Sequence, residues 1–205
     1  MSFFKQLLEK PWETEGNNIV ALASAGEAPT PPAKVALMFL LVSMTFVFAL
    51  ISIGYTYRLT LPDWQSLPDP GLLWINTLVL FLSSLFLERA RKIARRGEIE
   101  KTKTYLLIGG FLTITFFLGQ YWVSLELSQQ GYYAAANPAN AFFYMITWLH
   151  ALHLFGGLIA WFRTMIKVRK GNQSYQIASS VELCAIYWHF LLIVWFILFG
   201  LMIAT

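Results

Sequence analysis

The sequence contains a single cysteine and unusually few charged residues. Cys184 is the only cysteine among 205 residues, so the chain alone cannot build a disulfide framework or a thiolate metal cluster. Charged residues make up 13% of the chain and hydrophobic residues 57%, with a mean hydropathy of +0.56. A soluble domain carries about 25% charged residues. This composition therefore excludes a soluble domain and indicates an integral membrane protein.

Carboxylates are also missing from the interiors of the long apolar runs. Each Asp or Glu near these runs lies at the end of a run or between two of them, as Glu88, Glu126 and Glu182 do. A self-contained pump or ion channel places ionisable groups along its spans. The sequence therefore does not favour either class.

Five apolar stretches follow a mixed, proline-containing segment of residues 1–34. That segment lacks the charge pattern and apolar core of a signal peptide, so we expect a retained cytoplasmic tail. At 1.5 Å per helical residue, each stretch can cross a hydrocarbon core about 30 Å thick. We predict an all-α polytopic membrane protein whose residues 35–205 form one bundle of five transmembrane helices, at residues 35–57, 71–89, 104–125, 141–162 and 183–205.

The Lys and Arg residues predict the orientation of the bundle. Of the 15 basic residues, all except Arg58 lie in the tail or after the second and fourth stretches. Because basic segments remain cytoplasmic, we expect a cytoplasmic N-terminus and a periplasmic or external C-terminus. These residues flank apolar spans instead of forming a patch with interleaved aromatics, so no nucleic-acid partner is expected.

Two of the three histidines lie inside the fourth apolar stretch, in the sequence Thr-Trp-Leu-His-Ala-Leu-His-Leu-Phe-Gly-Gly of residues 147–157. His150 and His153 are three residues apart and therefore lie about 60° apart on one helix face. Gly156 and Gly157 leave room for a second helix to approach that face. This segment is therefore predicted to be a site of helix packing.

The third histidine, His189, follows Trp188 in the fifth stretch, at a depth similar to that of His153. We predict that His153 and His189 face each other, or share a polar partner, between the last two helices. Glu182 precedes His189 by seven residues and lies on the same face. This carboxylate indicates either a polar, water-lined seam or a helix N-terminus stabilised by the helix dipole.

The histidines have two interpretations. Haem ligation by two imidazoles requires a facing pair on different helices, and the sequence has neither a second such pair nor a Cys-x-x-Cys-His motif. In the simpler interpretation, the imidazoles form hydrogen bonds between packed helices. We predict that this chain binds no metal or haem, because it lacks a complete set of ligands and supporting groups.

Both histidine segments resemble signatures of the subunit III family of haem–copper oxidases. Residues 147–157 resemble its Thr-Gly-Phe-His-Gly-Leu-His-x-x-Gly-Gly motif, and residues 182–195 resemble Glu-x-x-x-x-Tyr-Trp-His-Phe-Val-Asp-Val-Val-Trp. Residues 73–84 add an Asn-Thr…Ser-Ser pattern, and Gln120 begins a further match. The resemblance covers about residues 35–205, and five helices match the short bacterial form.

This resemblance implies a non-catalytic subunit of a respiratory terminal oxidase in the bacterial inner membrane. Such a subunit packs against catalytic subunit I, binds structural phospholipid and supports proton uptake and turnover stability. Haem and copper belong to partner subunits, and subunits II and IV and a respiratory supercomplex are further expected partners. The resemblance assigns a packing role to His150, His153, Gly156, Gly157, Glu182, Trp188 and His189, and no catalytic residue to this chain.

Two alternatives stay open at this stage. One is a membrane haem-binding anchor or electron carrier that uses His150 or His153 with His189. The other is the accessory subunit of nitric oxide reductase, which shares this fold and much of the motif. Whether the electron donor is cytochrome c or quinol is a property of other subunits.

Three positions depart from the family pattern. Met44, Val123 and Leu192 occupy places where the family usually carries a carboxylate, with Glu126 one turn beyond Val123. A proton-linked role that depends on those carboxylates is therefore not implied for this chain. Helix packing and lipid binding are the more direct expectations.

A row of cations ends the fourth apolar stretch. Arg163, Lys167 and Lys170 are spaced i, i+4 and i+7 and form one stripe at the predicted inner interface. The resemblance implies that Lys167 corresponds to a lipid-contacting Arg of longer family members, so the stripe is predicted to bind a phospholipid phosphate. Alternatively, these residues serve only as a topology signal.

Overall fold

A computed structural model of the protein describes residues 32–65, 71–171 and 174–204. Within those residues the chain forms five long helices, and each is long and apolar enough to cross a membrane. We number them in chain order: α1 Pro32–Arg58, α2 Gly71–Ala94, α3 Ile99–Gln129, α4 Pro138–Arg169 and α5 Ser174–Ile203.

The predicted fold class is confirmed, since five helices lie where the five apolar stretches were found. Each helix is longer at one or both ends than the apolar stretch that predicted it. α4, for example, extends seven residues beyond residue 162, to Arg169. Helical hydrogen bonding continues past the hydrocarbon layer because long cationic side chains can reach the polar interface. Residues 1–31 of the predicted tail lie outside the described residues, and the predicted orientation stays a prediction.

The chain divides into two units, Met1–Met38 and Phe39–Thr205. Only residues 32–38 of the first unit are described, and they are the first residues of α1. The second unit contains the rest of α1 and all of α2–α5. The interactions below all lie within this second unit.

The tightest helix pair in the second unit is α2 with α3. A short turn connects them, and Gly97 allows it by adopting a positive φ of 77°. A Cβ at Gly109 would lie 2.9 Å from Leu87 Cγ, so the glycine allows the two backbones to approach closely. The hydroxyl of Ser83 crosses this contact to the Gly109 carbonyl at 2.8 Å.

The remaining helices pack around this pair to different extents. α5 packs on both α2 and α4, and α4 also contacts α3. Most of the α1 surface is exposed, and its buried residues are Met44, Phe48 and Tyr55. α1 therefore lies against the other helices through one narrow stripe.

Candidate functional site

His150 lies at a point where four helices meet. Its side chain is fully buried, and it is enclosed by three aromatic rings from α1, α3 and α5. Its ring centroid lies 6.3 Å from that of Phe48, 6.3 Å from that of Phe116 and 5.0 Å from that of Trp195. Neither ring nitrogen has a hydrogen-bond partner among the described residues.

His153, one turn further along α4, is only partly buried. Its Nδ1 lies 2.7 Å from the carbonyl oxygen of Leu149 in the same helix, and its ring centroid lies 5.2 Å from that of Phe48. The backbone carbonyl of His153 accepts a hydrogen bond from the Tyr187 hydroxyl at 2.8 Å. The main chain at His153 thus connects α4 to α5, while its imidazole packs on α1.

His189 does not meet His153, and the prediction that they face each other or share a polar partner is wrong. Its Nδ1 lies 2.6 Å from the Ala185 carbonyl oxygen, and its Nε2 lies 3.9 Å from Glu88 on α2. The reason is helical rotation. Tyr187 faces α4, and two residues later the helix has turned by about 200°, which directs His189 away from α4.

The two glycines of the motif differ in role. A Cβ at Gly157 would lie 2.7 Å from Tyr187 Cε1 and 3.0 Å from Trp188 Cζ3, so only glycine fits without movement. A Cβ at Gly156 would meet only the Tyr187 hydroxyl, at 3.9 Å, an ordinary van der Waals distance. Gly157 is therefore the residue that allows α5 to approach α4.

Charged groups gather where the C-terminal part of α2 meets α5. Glu88 lies 2.8 Å from Arg91 and 3.8 Å from Lys92, in addition to its proximity to His189. Glu182 forms an ion pair with Arg95 at 3.0 Å. Glu182 and His189 thus share the helix face that was predicted, and that face meets the basic end of α2.

A polar core joins α2, α3 and α5. Trp188 donates its indole N–H to Thr113 Oγ1 at 3.1 Å, and Ser83 Oγ lies 2.8 Å from the same Thr113 oxygen. A second indole, that of Trp195, donates to Thr77 Oγ1 at 3.0 Å. Two buried tryptophans therefore find hydroxyl partners on neighbouring helices.

Sequence reasoning missed Thr113 and did not identify Thr77 as the partner of Trp195. It had noted the Asn-Thr…Ser-Ser pattern of α2 and Gln120, whose side chain accepts a hydrogen bond from Asn76 at 3.2 Å. A buried indole N–H usually has a partner. Each buried tryptophan inside an apolar stretch was therefore a signal for a hydrogen-bond acceptor on another helix, although not for which one.

The cationic stripe of Arg163, Lys167 and Lys170 is exposed at the C-terminal end of α4. Lys167 Nζ donates to Ser180 Oγ on α5 at 3.1 Å. Within residues 32–65, 71–171 and 174–204, no carboxylate forms an ion pair with any of the three cations. The stripe is therefore open to an anionic group.

The three positions that depart from the family pattern are buried. Met44, Val123 and Leu192 are at most 7% exposed. A carboxylate at any of them would require a partner, because burying an unpaired charge is strongly unfavourable. Glu126 lies closer to the surface and accepts a hydrogen bond from Gln130 at 3.5 Å.

The part of the chain that the structure describes contains no group of three or more His, Cys, Asp or Glu side chains placed to hold a metal ion. His150 and His153 both contact Phe48, whereas His189 lies near Glu88. The prediction that this chain binds neither metal nor haem is not tested by these contacts and stays a prediction. The arrangement described here serves helix packing and hydrogen bonding.

No protein-family model matches the chain. It is similar to a probable cytochrome c oxidase subunit 3 of Mycobacterium tuberculosis, with 31% identity over 123 residues, 60% of this chain and 61% of the relative. A cytochrome c oxidase subunit 3 of Thermostichus vulcanus is 30% identical over 129 residues, 62% of this chain and 63% of the relative. The corresponding protein of Synechocystis is 26% identical over 167 residues, 79% of this chain and 70% of the relative. The chain thus spans about three fifths of the length of the first two relatives.

Proposed function

Because this chain belongs to the haem–copper oxidase subunit III family, we propose that it is the non-catalytic subunit III of a respiratory terminal oxidase that reduces oxygen to water. The observation that carries the proposal is that the segment resembling the family motif is also the segment that packs α4 on its neighbours. The family motif on α4 places His150 among rings from three other helices and Gly157 against Tyr187. The motif residues thus hold the bundle together.

The proposed subunit lies in the bacterial inner membrane and spans it five times, with its N-terminus in the cytoplasm. The five long apolar helices and the distribution of Lys and Arg support this placement. Its main partner is the catalytic subunit I, which holds haem and copper. Subunits II and IV and a respiratory supercomplex complete the proposed assembly.

Phospholipid is the proposed ligand of this chain. Arg163, Lys167 and Lys170 form an exposed row at the cytoplasmic end of α4 in the proposed orientation. Each cation near an anionic surface contributes about 1 kcal/mol of binding free energy. Three cations near one phosphate would together contribute about 3 kcal/mol to the retention of a lipid at the subunit surface, and this lipid would support stability during turnover.

A role in proton uptake cannot use the carboxylates that the family usually carries, so it is assigned to other residues of this chain. Met44, Val123 and Leu192 provide no proton acceptor at the family positions. Glu88, Arg91, Arg95, Glu182 and His189 form a charged group where α2 meets α5, at the cytoplasmic end in the proposed orientation. Any contribution to proton uptake is therefore assigned to this group.

The haem-anchor alternative has less support. A bis-imidazole site requires two rings that face each other, whereas His150 is enclosed by aromatic rings and His189 lies against Glu88. The nitric oxide reductase alternative differs from the leading proposal only in the catalytic partner. The names of the relatives, cytochrome c oxidase subunit 3, favour the oxidase.

The test is to tag this chain in its native host, purify it from membranes in mild detergent and identify the copurifying proteins by mass spectrometry. A haem–copper oxidase subunit I, together with oxygen consumption by the complex, is the expected result. A catalytic subunit of nitric oxide reductase, or no haem-containing partner, would contradict the proposal. An absorption spectrum of the chain separated from its partners tests the haem alternative, because low-spin haem gives sharp α and Soret bands.

A further inference from the structure

α3 and α4 each carry a row of polar residues over two to three helical turns near their contact. On α3, Ser128, Ser124 and Gln120 follow one another at intervals of four residues and share a face. On α4, Asn140, Tyr144, Thr147 and His150 also share a face. We call these residues together the α3–α4 seam.

Two contacts establish that the faces meet. At the end of the seam near residues 131–137, the Tyr144 hydroxyl lies 3.3 Å from the carbonyl oxygen of Ser124. At the other end, the ring centroid of His150 lies 6.3 Å from that of Phe116, one turn before Gln120 on α3. Gln120 and Thr147 lie between these two contacts on their respective helices.

Polar atoms without partners are concentrated in this seam. Eight buried side-chain nitrogen or oxygen atoms of the described residues have no hydrogen-bond partner within the protein. Five of the eight belong to the seam: Asn140 Oδ1, Gln120 Nε2, Thr147 Oγ1, and both ring nitrogens of His150. Leaving one such group unsatisfied costs about 1–3 kcal/mol. Five unsatisfied groups along one contact would therefore lower the stability of the bundle substantially, unless a small polar ligand forms hydrogen bonds with them.

The seam begins at a pocket. An open surface pocket of about 300 Å³ lies beside the 131–137 segment and is lined by Ser124, Leu125, Ser128, Tyr133, Ala134, Tyr144 and Trp148. Because this pocket is open to the outside of the bundle, water can enter it from the surface. At the opposite end, Phe48, Phe116 and Trp195 close around His150, so the seam ends there.

We propose that the α3–α4 seam holds a chain of bound water molecules that runs from this pocket past Gln120 and Thr147 to the imidazole of His150. Water matches the site because one molecule can both donate and accept, and the unpartnered atoms include donors and acceptors. A buried water usually forms about three hydrogen bonds, and the seam offers five protein atoms plus the neighbouring water molecules. His150 would thus be buried within the bundle and still reached by water that enters near residues 131–137.

X-ray radiolytic labelling tests this proposal on the purified complex. Radiation converts bound water into hydroxyl radicals, which oxidise the side chains beside it, and mass spectrometry locates the products. Trp195 and Trp188 form a matched pair, since both are at most 1% exposed and both donate their indole N–H to a threonine. Trp195 packs on His150, whereas Trp188 lies away from the seam, against Thr113.

We expect Trp195 and His150 to be oxidised several times faster than Trp188. Equal and slow oxidation of both tryptophans would overturn the proposal. Thr147→Val removes one water partner with little change in shape, and it should lower the oxidation of Trp195 while leaving that of Trp188 unchanged.

Thr164→Val is the control for that substitution. Thr164 is also buried on α4, but its hydroxyl donates to the Ala160 carbonyl at 2.9 Å, so its removal should leave the oxidation of Trp195 unchanged. If Thr147→Val and Thr164→Val have the same effect on Trp195, the water chain is refuted. Thr147→Ser restores the hydroxyl and should restore the oxidation of Trp195, and failure to do so would count equally against the proposal.

Discussion

The indole N–H of Trp188 on α5 donates to Thr113 Oγ1 on α3 at 3.1 Å, and Ser83 on α2 lies 2.8 Å from that same oxygen. One hydroxyl therefore connects three helices. Between helices in a membrane, apolar contact alone gives little specificity, because lipid tails are as apolar as the side chains. Thr113 supplies a direction-dependent interaction that fixes the rotation of α5 about its axis.

Replacing Thr113 with Val should destabilise the bundle. The buried indole of Trp188 and the hydroxyl of Ser83 both lose a partner, so the free energy of unfolding should fall by about 1–2 kcal/mol. Thermal denaturation of the detergent-purified complex measures the change. Thr115→Val is the control, because Thr115 is exposed and its hydroxyl bonds only to Phe111 of its own helix. Equal midpoints for the two variants would show that the Thr113 contact is unimportant.

Gly157→Ala should separate α4 from α5. The added methyl would lie 2.7 Å from the Tyr187 ring, and overpacking of this kind costs about 1–3 kcal/mol. The melting temperature should fall, and the intensity of near-ultraviolet circular dichroism should change as the Tyr187 ring shifts. Gly156→Ala, whose methyl has only an ordinary contact at 3.9 Å, should resemble the parent protein. The reverse order of the two variants would contradict the packing described here.

Glu88→Gln should weaken the contact between α2 and α5. Glu88 is 19% exposed and lies near Arg91, Lys92 and His189, so loss of its charge should lower the stability by about 1 kcal/mol. The comparison is Glu100→Gln, because the Glu100 side chain is 87% exposed and 3.8 Å from one lysine. Denaturation at low and high salt should show a larger, salt-dependent loss for Glu88→Gln. A matching loss in Glu100→Gln would rule out a specific role of Glu88.

The orientation can be tested by cysteine labelling in intact cells. In a background with Cys184→Ala, Arg96→Cys places a thiol in the turn between α2 and α3, and Tyr133→Cys places one at the opposite end of the bundle. A membrane-impermeant maleimide should label Tyr133→Cys and leave Arg96→Cys unlabelled until the cells are opened. Labelling of Arg96→Cys from outside would reverse the proposed topology.

Replacing all three cations of the stripe with Gln should release bound lipid. The loss of about 3 kcal/mol corresponds to roughly a hundredfold in affinity for an anionic phospholipid. Lipid analysis of the purified complex, together with the decline of oxidase activity during turnover, measures the effect. A control variant with the same change in charge replaces three basic residues outside the stripe: Arg96, Lys101 and Lys103. If both variants retain the lipid of the parent protein, the stripe is only a topology signal.

The sequence was sufficient to predict the five helices, because long uncharged runs in a membrane have few alternatives to helix. It was also sufficient to identify the motif that packs α4 on its neighbours. The helix ends were less predictable. The end of α2 was placed at residue 89, but the helix continues to Ala94, and Arg91 and Lys92 in this extension pair with Glu88 of the same helix.

The rotation of each helix about its axis was not predictable from the sequence. α5 is apolar on all sides, so its periodicity does not distinguish the face that meets α4 from the face that meets α2. The similar depths of His153 and His189 suggested a pair, but depth does not determine direction. The structure shows the rotation directly. Tyr187 bonds to α4 and Trp188 bonds to α3, so the next residue, His189, points towards Glu88 on α2.

The narrow contact of α1 has a consequence for biosynthesis. Among the described helices α1 leaves the ribosome first, and its Phe48 can contact His150 only after about 100 more residues have been synthesised. At about 5–20 residues per second, that interval lasts roughly 5–20 seconds. During this time α1 must stay in the membrane without its packing partner, and it has the highest hydropathy of the five helices, 2.6. High hydropathy favours the partitioning of α1 into lipid at this stage, so we expect the later helices to assemble beside a segment that is already inserted.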